Sequence, residues 1–333
     1  MEDFCREIRR KILNCESKMV KLTKFVGLDE CNDENCYVNC GGIGRIRKYK
    51  NFSLFLDNAN GCRKRLLRGL DPQTKEFQTQ VFQIIGCNMR CWYCFVDDSI
   101  LNANESNAVW VSISDMIDIF LQEVSEPMIL DLSGGQPDLV PEWCLWVMEE
   151  LERKGLKDKV YVWLDDNLGT QGVMEECLTQ EQIKYMASFP KHSRACCFKG
   201  FNDDTCTFNM RNSTIGIKNQ IENFKFLYEY GFDLYAYITL TGPKGSADKK
   251  EIEKFINNMA EIHPKLPLRI IPLKVAEFEA TSTRMNQKYY DALQEQFIAY
   301  EYWKAVMAER YTREELEMPY EMVKIHSING SAK

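Results

Sequence analysis

Histidine is scarce and long apolar runs are absent. Only three histidines occur in 333 residues. His192, His263 and His326 are scattered, so no Ser-His-Asp pattern forms, and each reads as a packing or surface residue. No apolar stretch approaches the ~20 residues of a membrane helix. The N-terminal residues lack a secretion signal's apolar segment, so a soluble, cytoplasmic protein with no membrane association is expected. Basic charge is also in deficit, 42 Lys and Arg against 49 Asp and Glu, a net charge of −7. That balance argues against a nucleic-acid partner, despite the local runs RIRKYK (Arg45 to Lys50) and RKRLLR (Arg63 to Arg68). Internal repeats and low-complexity blocks are lacking.

What the chain has in quantity is cysteine, 14 in all. Without a secretion signal a disulfide framework loses its warrant, and metal ligation is the better default. A hydrophobic content of 45% over this length allows one large or two ordinary domains.

From residue 80 onward, short β-branched and aromatic runs alternate with amphipathic stretches, the βαβ pattern of a parallel sheet. Strands are predicted at Val81 to Ile85, Met128 to Leu132, Val160 to Leu164, Arg194 to Phe198, Asp233 to Leu240 and Leu268 to Leu273. Helices are predicted at Ser112 to Val124, from Pro141 to Gly155, and at Thr179 to Phe189, Ile217 to Tyr230 and Ala247 to Ile262. Six such units predict an α/β fold, a partial (βα)6 TIM-like barrel whose working face lies at the C-terminal strand ends. The expected domains are a Cys-bearing N-terminal extension (1–76), the barrel core (77–280) and a C-terminal region (281–333) whose aromatic helix, Asn286 to Arg310, covers the barrel's open side or a dimer contact.

The stretch GCNMRCWYCF places Cys87, Cys91 and Cys94 on the loop after the first core strand. Structural zinc wants four ligands, and no fourth Cys or His stands close by to complete a set. A redox C-x-x-C pair would use Cys91 and Cys94 and leave Cys87 unexplained. Three thiolates on one loop suit an iron-sulfur cluster with one iron left open. Further motifs follow on successive strand ends: SGGQP (Ser133 to Pro137), LDDNLG (Leu164 to Gly169), CFKGFNDD (Cys197 to Asp204), YITLTG (Tyr237 to Gly242) and RIIPLK (Arg269 to Lys274). By itself SGGQPD is as readily an ordinary β-to-α turn, and LDDNLG alone a solvated one.

Taken in order, these motifs resemble the radical S-adenosylmethionine (SAM) enzymes, and among them the pyruvate formate-lyase activating enzyme branch. The resemblance spans Val81 to Lys274. It implies that Cys87, Cys91 and Cys94 ligate a [4Fe-4S] cluster and that the Tyr93 backbone meets adenine. Ser133, Gly134, Gly135 and Gln136 would hold the SAM amino group, with Gln136 where glutamate is usual. Lys199 would meet the SAM carboxylate, Asp165 and Asn167 the ribose, and Ile238 and Ile271 would line the adenine pocket. The implied chemistry is reductive cleavage of SAM to a 5'-deoxyadenosyl radical that abstracts a substrate hydrogen atom, fed by a one-electron donor such as flavodoxin or ferredoxin. Phe198, Ala236, Lys274 and Asp166 depart from the branch pattern. Phe198 and Asp166 put the branch's monovalent-cation site in doubt; Ala236 and Lys274 weigh against its glycyl-loop substrate, so a small-molecule or peptide substrate ranks first, an activase second and tRNA modification third. Cluster loading without SAM cleavage would instead mark an iron or redox sensor.

Upstream, Cys31, Cys36, Cys40 and Cys62 form a candidate second metal site, for a second iron-sulfur cluster or zinc. Cys196 and Cys197, adjacent on a strand, point to opposite faces, and with Cys206 are expected to serve core packing.

Overall fold

The computed structural model describes residues 3–26, 36–49, 77–123, 128–211, 215–277 and 279–326. Apolar residues at alternate positions cannot satisfy both their side chains and their backbone alone, so these segments pair into a sheet whose two faces differ. In chain order its strands are β1 (Leu13–Asn14), β2 (Met19–Thr23), β3 (Cys36–Asn39), β4 (Gly44–Tyr49), β5 (Phe77–Ile84), β6 (Ala108–Ser112), β7 (Ile129–Gly134), β8 (Tyr161–Asp166), β9 (His192–Phe198), β10 (Leu234–Thr239) and β11 (Ile270–Leu273). β5, β7, β8, β9, β10 and β11 lie side by side in that order, and all these pairs are parallel. They are the six strands expected from the sequence, and the sequential order is that of a partial barrel.

The region before the core contributes to the same sheet. Leu22 of β2 pairs antiparallel with Ile84, and β4 pairs with β5 from Gly44↔Phe82 to Tyr49↔Phe77. β6 in turn pairs with β2.

Helices follow the strands where the sequence places them: Ile113–Glu123, Pro141–Arg153, Gln180–Ala187, Ile217–Glu229 and Lys249–Ile262. Their starts are chemically marked. Ser112 Oγ accepts from Asp115 N (3.1 Å) and donates to its carboxylate (2.6 Å), Pro141 occupies the first turn, and Thr179 with Gln182 closes a capping box. The C-terminal helix Gln287–Arg310 packs along Lys249–Ile262, with Trp303 6.3 Å from Phe255.

Alternation divides the sheet cleanly. Leu130, Leu132, Val162, Leu164, Cys196, Phe198, Leu234, Ala236 and Ile238 join the core beneath the helices. Ile129, Tyr161, Trp163, Ala195, Tyr235, Tyr237 and Ile271 form a separate cluster on the other face, with Cys197 packed against it. Cys196 and Cys197 therefore do point apart, and buried Cys206 is a core residue.

His192 begins β9 fully buried, its Nδ1 2.9 Å from Val162 O. Burial, with the nearby Arg194 charge, holds the imidazole down at about 3 instead of 6.5. The unfolded chain takes up this proton near pH 6.5 and the folded chain does not. The stability tied to His192 is thus complete above about pH 6.5 and falls as the pH drops toward 3, by ~1.4 kcal/mol per unit. His192→Gln keeps an N–H donor and should flatten that part of the pH profile. Urea midpoints measured across the range would show it, and identical acid slopes for the two proteins would refute the assignment.

Candidate functional site

Parallel pairing puts the C-terminal ends of the six strands on one edge, and there the cysteine loop is assembled. After β5 the chain runs through Gly86 to Cys87, whose N–H donates to Leu101 O (3.0 Å). Arg90 turns the loop with φ 53°, and Cys94 N bonds back to Cys91 O (3.1 Å). Cys87 and Cys91 are buried and Cys94 is partly exposed.

Next to it, the turn ending β7 makes the closest approach in the site. Gly135 N donates to Ile84 O (2.8 Å) and Gln136 N to Gly86 O (2.9 Å). Gly134 has φ +107°, and a Cβ on Gly135 would lie 1.9 Å from Gly86 O. The paired glycines, which the resemblance sets against the SAM amino group, thus make room first for the cysteine strand itself.

The end of β8 closes the next link. Asn167 N donates to Gln136 Oε1 (2.9 Å), and Asn167 Nδ2 donates to Asn88 Oδ1 (2.9 Å) and lies 3.8 Å from Cys87 Sγ. Asn88 Nδ2 donates to Gly169 O (2.7 Å). Asp165 accepts from Ser133 Oγ (2.7 Å) and Trp163 Nε1 (3.1 Å). Hence Cys87, Gly135, Gln136 and Asn167, from three strand ends, meet through hydrogen bonds, with Gly134 in the same turn and the Ser133–Asp165 pair on the neighbouring strand ends.

Lys199, beyond β9, is buried beside the loop. Burial opposes its charge, but Cys197, Tyr93 and Cys91 around it outweigh that and hold its pKa well above the usual lysine range. Tyr93 reaches the end of β10, its hydroxyl 2.9 Å from Thr239 Oγ1. Ile271 belongs to the cluster on the face away from the helices, whereas the side chain of Ile238 points into the core beneath them. The two are therefore not brought to one face: period-two alternation presents Tyr237 and Thr239, not Ile238, on the side of Ile271.

Three groups that spacing could not reveal hold the loop from afar. Asn209 accepts from Trp92 Nε1 (3.0 Å) and donates to Lys199 O (2.7 Å) and Thr241 O (2.9 Å). Arg284 donates to Cys94 O (2.6 Å) and Val96 O (3.0 Å). Tyr289 stacks on Trp92 at 4.3 Å. None of the three lies in a motif, and Arg284 stands 190 residues from Cys94, so the sequence carries no local signal for them.

The donor set suits a metal cluster in kind. Burial raises the Cys91 thiol to about 11 and the Cys94 thiol to about 12, the latter helped by Cys91 and Cys87. A cation beside the Cys91 and Cys94 thiols would oppose that rise, and a cluster would supply one. Among the described residues no group of three or more Cys, His, Asp or Glu side chains, the three loop cysteines included, is arranged so as to hold a metal ion as it stands. Of the second candidate site, Cys31 and Cys62 lie outside the described residues. Cys36 lies on β3 and Cys40 just after it, both buried, with Cys40 pushed up to about 12 by burial and then by Glu123.

No family model matches the chain, and no curated protein matches it. Among solved structures it is similar to native anSMEcpe with bound AdoMet, at 17% identity and TM-score 0.49, over 67% of this chain and 58% of that one. It thus spans less than two thirds of that protein's length. It is also similar to anSMEcpe with bound AdoMet and a peptide, at 16% identity and TM-score 0.42, over 67% and 58% of the two chains. A third similar structure is a spore photoproduct lyase variant with bound AdoMet and dinucleoside spore photoproduct, at 7% identity and TM-score 0.45, over 77% and 78%.

Gly135→Ala tests the closest approach directly. Its methyl group must push the turn off Gly86, breaking two backbone hydrogen bonds, so a loss of ~2 to 4 kcal/mol is expected, as for other backbone clashes at special positions. Thermal unfolding measures this, and a variant as stable as the parent would show that the turn does not sit against the cysteine strand.

Proposed function

We propose that the chain is a radical SAM enzyme acting on a small-molecule or peptide substrate. The observation that carries this is the convergence, through one continuous hydrogen-bonded network, of the cysteine loop, the glycine turn and Asn167 at the ends of three neighbouring parallel strands, with Lys199 beside them. Cys87, Cys91 and Cys94 would hold a [4Fe-4S] cluster by three thiolates. The turn carbonyls of Ser133 to Gln136 would accept from the SAM ammonium, Lys199 would pair with its carboxylate, Asp165 and Asn167 would take the ribose hydroxyls, and the Tyr93 backbone with Ile271 would meet adenine. When bound, cluster and SAM supply a 5'-deoxyadenosyl radical able to take a hydrogen atom from substrate, with electrons from a one-electron donor such as flavodoxin or ferredoxin.

The protein's part is positioning and exclusion of water. Lys199 and the Asn88–Asn167–Gln136 braces fix polar groups in advance. Trp163, Tyr235 and Tyr237 wall the face on which a substrate would lie. On that face Gln83 of β5, in register with Ser133, is fully buried, and neither of its amide atoms has a hydrogen-bond partner among the described residues. An amide kept there at a cost in stability is the group we assign to recognition of a polar substrate function.

Two measurements bear on this reading. Protein reconstituted anaerobically with iron and sulfide should release 5'-deoxyadenosine from SAM with dithionite, and Cys91→Ala should lose both that activity and most of its iron. Cluster-loaded wild type that never cleaves SAM would overturn the assignment. Gln83→Leu removes an unsatisfied buried amide worth ~1 to 3 kcal/mol, so its melting temperature should rise by about 2 °C or more while SAM cleavage without substrate persists. An unchanged or lower melting temperature would show that Gln83 is already satisfied by the fold.

A further inference from the structure

Gln136 is not a free ligand. Its Nε2 donates to Asp166 Oδ1 (2.9 Å) and its Oε1 accepts from Asn167 N (2.9 Å). Asp166 also accepts from Leu168 N (2.8 Å) and lies 3.6 Å from the Arg194 guanidinium, which is hydrogen-bonded to Asp138. The side chains of Arg194 and Asp166 are both wholly buried and that of Asp138 nearly so. Arg194 is fixed in place from its other side by Phe232, 5.0 Å below the guanidinium.

The donors and acceptors in this chain are reciprocal. With Asp166 as acceptor, residue 136 must offer a donor, which glutamine does. A glutamate there would set two carboxylates about 3 Å apart in a dry interior, where one of them would have to take a proton. The amide at 136 and the carboxylate at 166 therefore define each other, and Arg194 supplies the countercharge that lets Asp166 stay buried.

We propose that Gln136, Asp166 and Arg194 form one charge-balanced positioning unit, in which Asp166, held by Arg194, orients and polarises the Gln136 amide so that the Gly134–Gln136 turn receives an ammonium group. Donation from Nε2 to a carboxylate strengthens Oε1 as an acceptor, and one lone pair of Oε1 remains beyond the bond from Asn167 N. The ammonium would belong to SAM, so the ligand part of this inference rests on the function proposed above. The coupling between residues 136 and 166 does not.

A charge swap tests both parts. Gln136→Glu should lower the melting temperature of metal-free protein, and in reconstituted protein should raise the Kd for SAM, measured by equilibrium dialysis, at least tenfold. Combining it with Asp166→Asn restores a donor facing an acceptor and should recover part of both losses, the bond from Leu168 N to the same Oδ1 being given up. Asp166→Asn alone should raise KM for SAM about tenfold with kcat at saturation nearly kept, a split that a general loss of folded protein would not give. A double variant no better than Gln136→Glu alone, or a Gln136→Glu protein as stable as the parent, would overturn the unit. Should wild type bind no SAM, the melting temperatures of the four proteins still decide the coupling, and only the ligand assignment falls.

Discussion

The site depends on the contact between two backbones at the ends of β5 and β7. Parallel pairing carries these strands side by side as far as Ile84↔Gly134, and beyond that point the chains would normally diverge into loops. They do not diverge, because Gly135 and Gln136 hydrogen-bond to Ile84 and Gly86. The ladder is thereby prolonged past the sheet into the loop that bears the cysteines. Any side chain at 135 would wedge the two apart. A single steric allowance thus converts a strand end, which is rigid, into support for a loop, which otherwise is not.

That support must be matched on the loop's other sides, since a backbone buried away from water needs its polar groups satisfied. Asn209 meets this need with every donor and acceptor of its side chain, tying Trp92 to the loops after β9 and β10. Arg284 takes the carbonyls of Cys94 and Val96 and also pairs with Asp98 at 3.2 Å. The C-terminal helix seats Tyr289 on Trp92. Elements from β7 to the C-terminal helix thus converge on the cysteine loop and the turn that follows it. Thiols held in this way would lose little conformational entropy on taking a ligand, because the fold has already fixed their backbone.

The sheet was legible in the sequence because its signal is local. Each core strand is a short apolar run bounded by turn residues, and each helix start carries a cap such as Ser112 or Thr179 whose partner lies three residues on. The motif residues were legible for a similar reason: they fall at strand ends, which the pattern locates. What escaped is whatever depends on three dimensions alone. β2 is only five residues long and β4 is largely polar, and both are strands because the free edge of β5 accepts them. The resemblance put Ile238 with Ile271, but one residue of offset sends it to the opposite face. The roles of Asn209 and Arg284 arise from contacts 117 and 190 residues apart.

The buried polar chemistry around β8 follows from the same geometry. Once the β7 turn is locked against the cysteine strand, the Gln136 side chain has only the end of β8 within reach, and the sequence there must complement it. Asp166 does so, at the cost of a buried carboxylate, and a buried carboxylate requires a cation. Arg194 on β9, the next strand over, is that cation. Asp138, a second carboxylate on the same guanidinium, is then left in excess. Burial, against the pull of Arg194 and with the push of Asp166, raises it to about 7, so near neutral pH it can shed the surplus charge by holding a proton. A backbone contact between two strands has in this way dictated side chains on the two strands beyond them. An ordinary sequence pattern could not display this, because no two of the residues involved interact through their spacing in the chain.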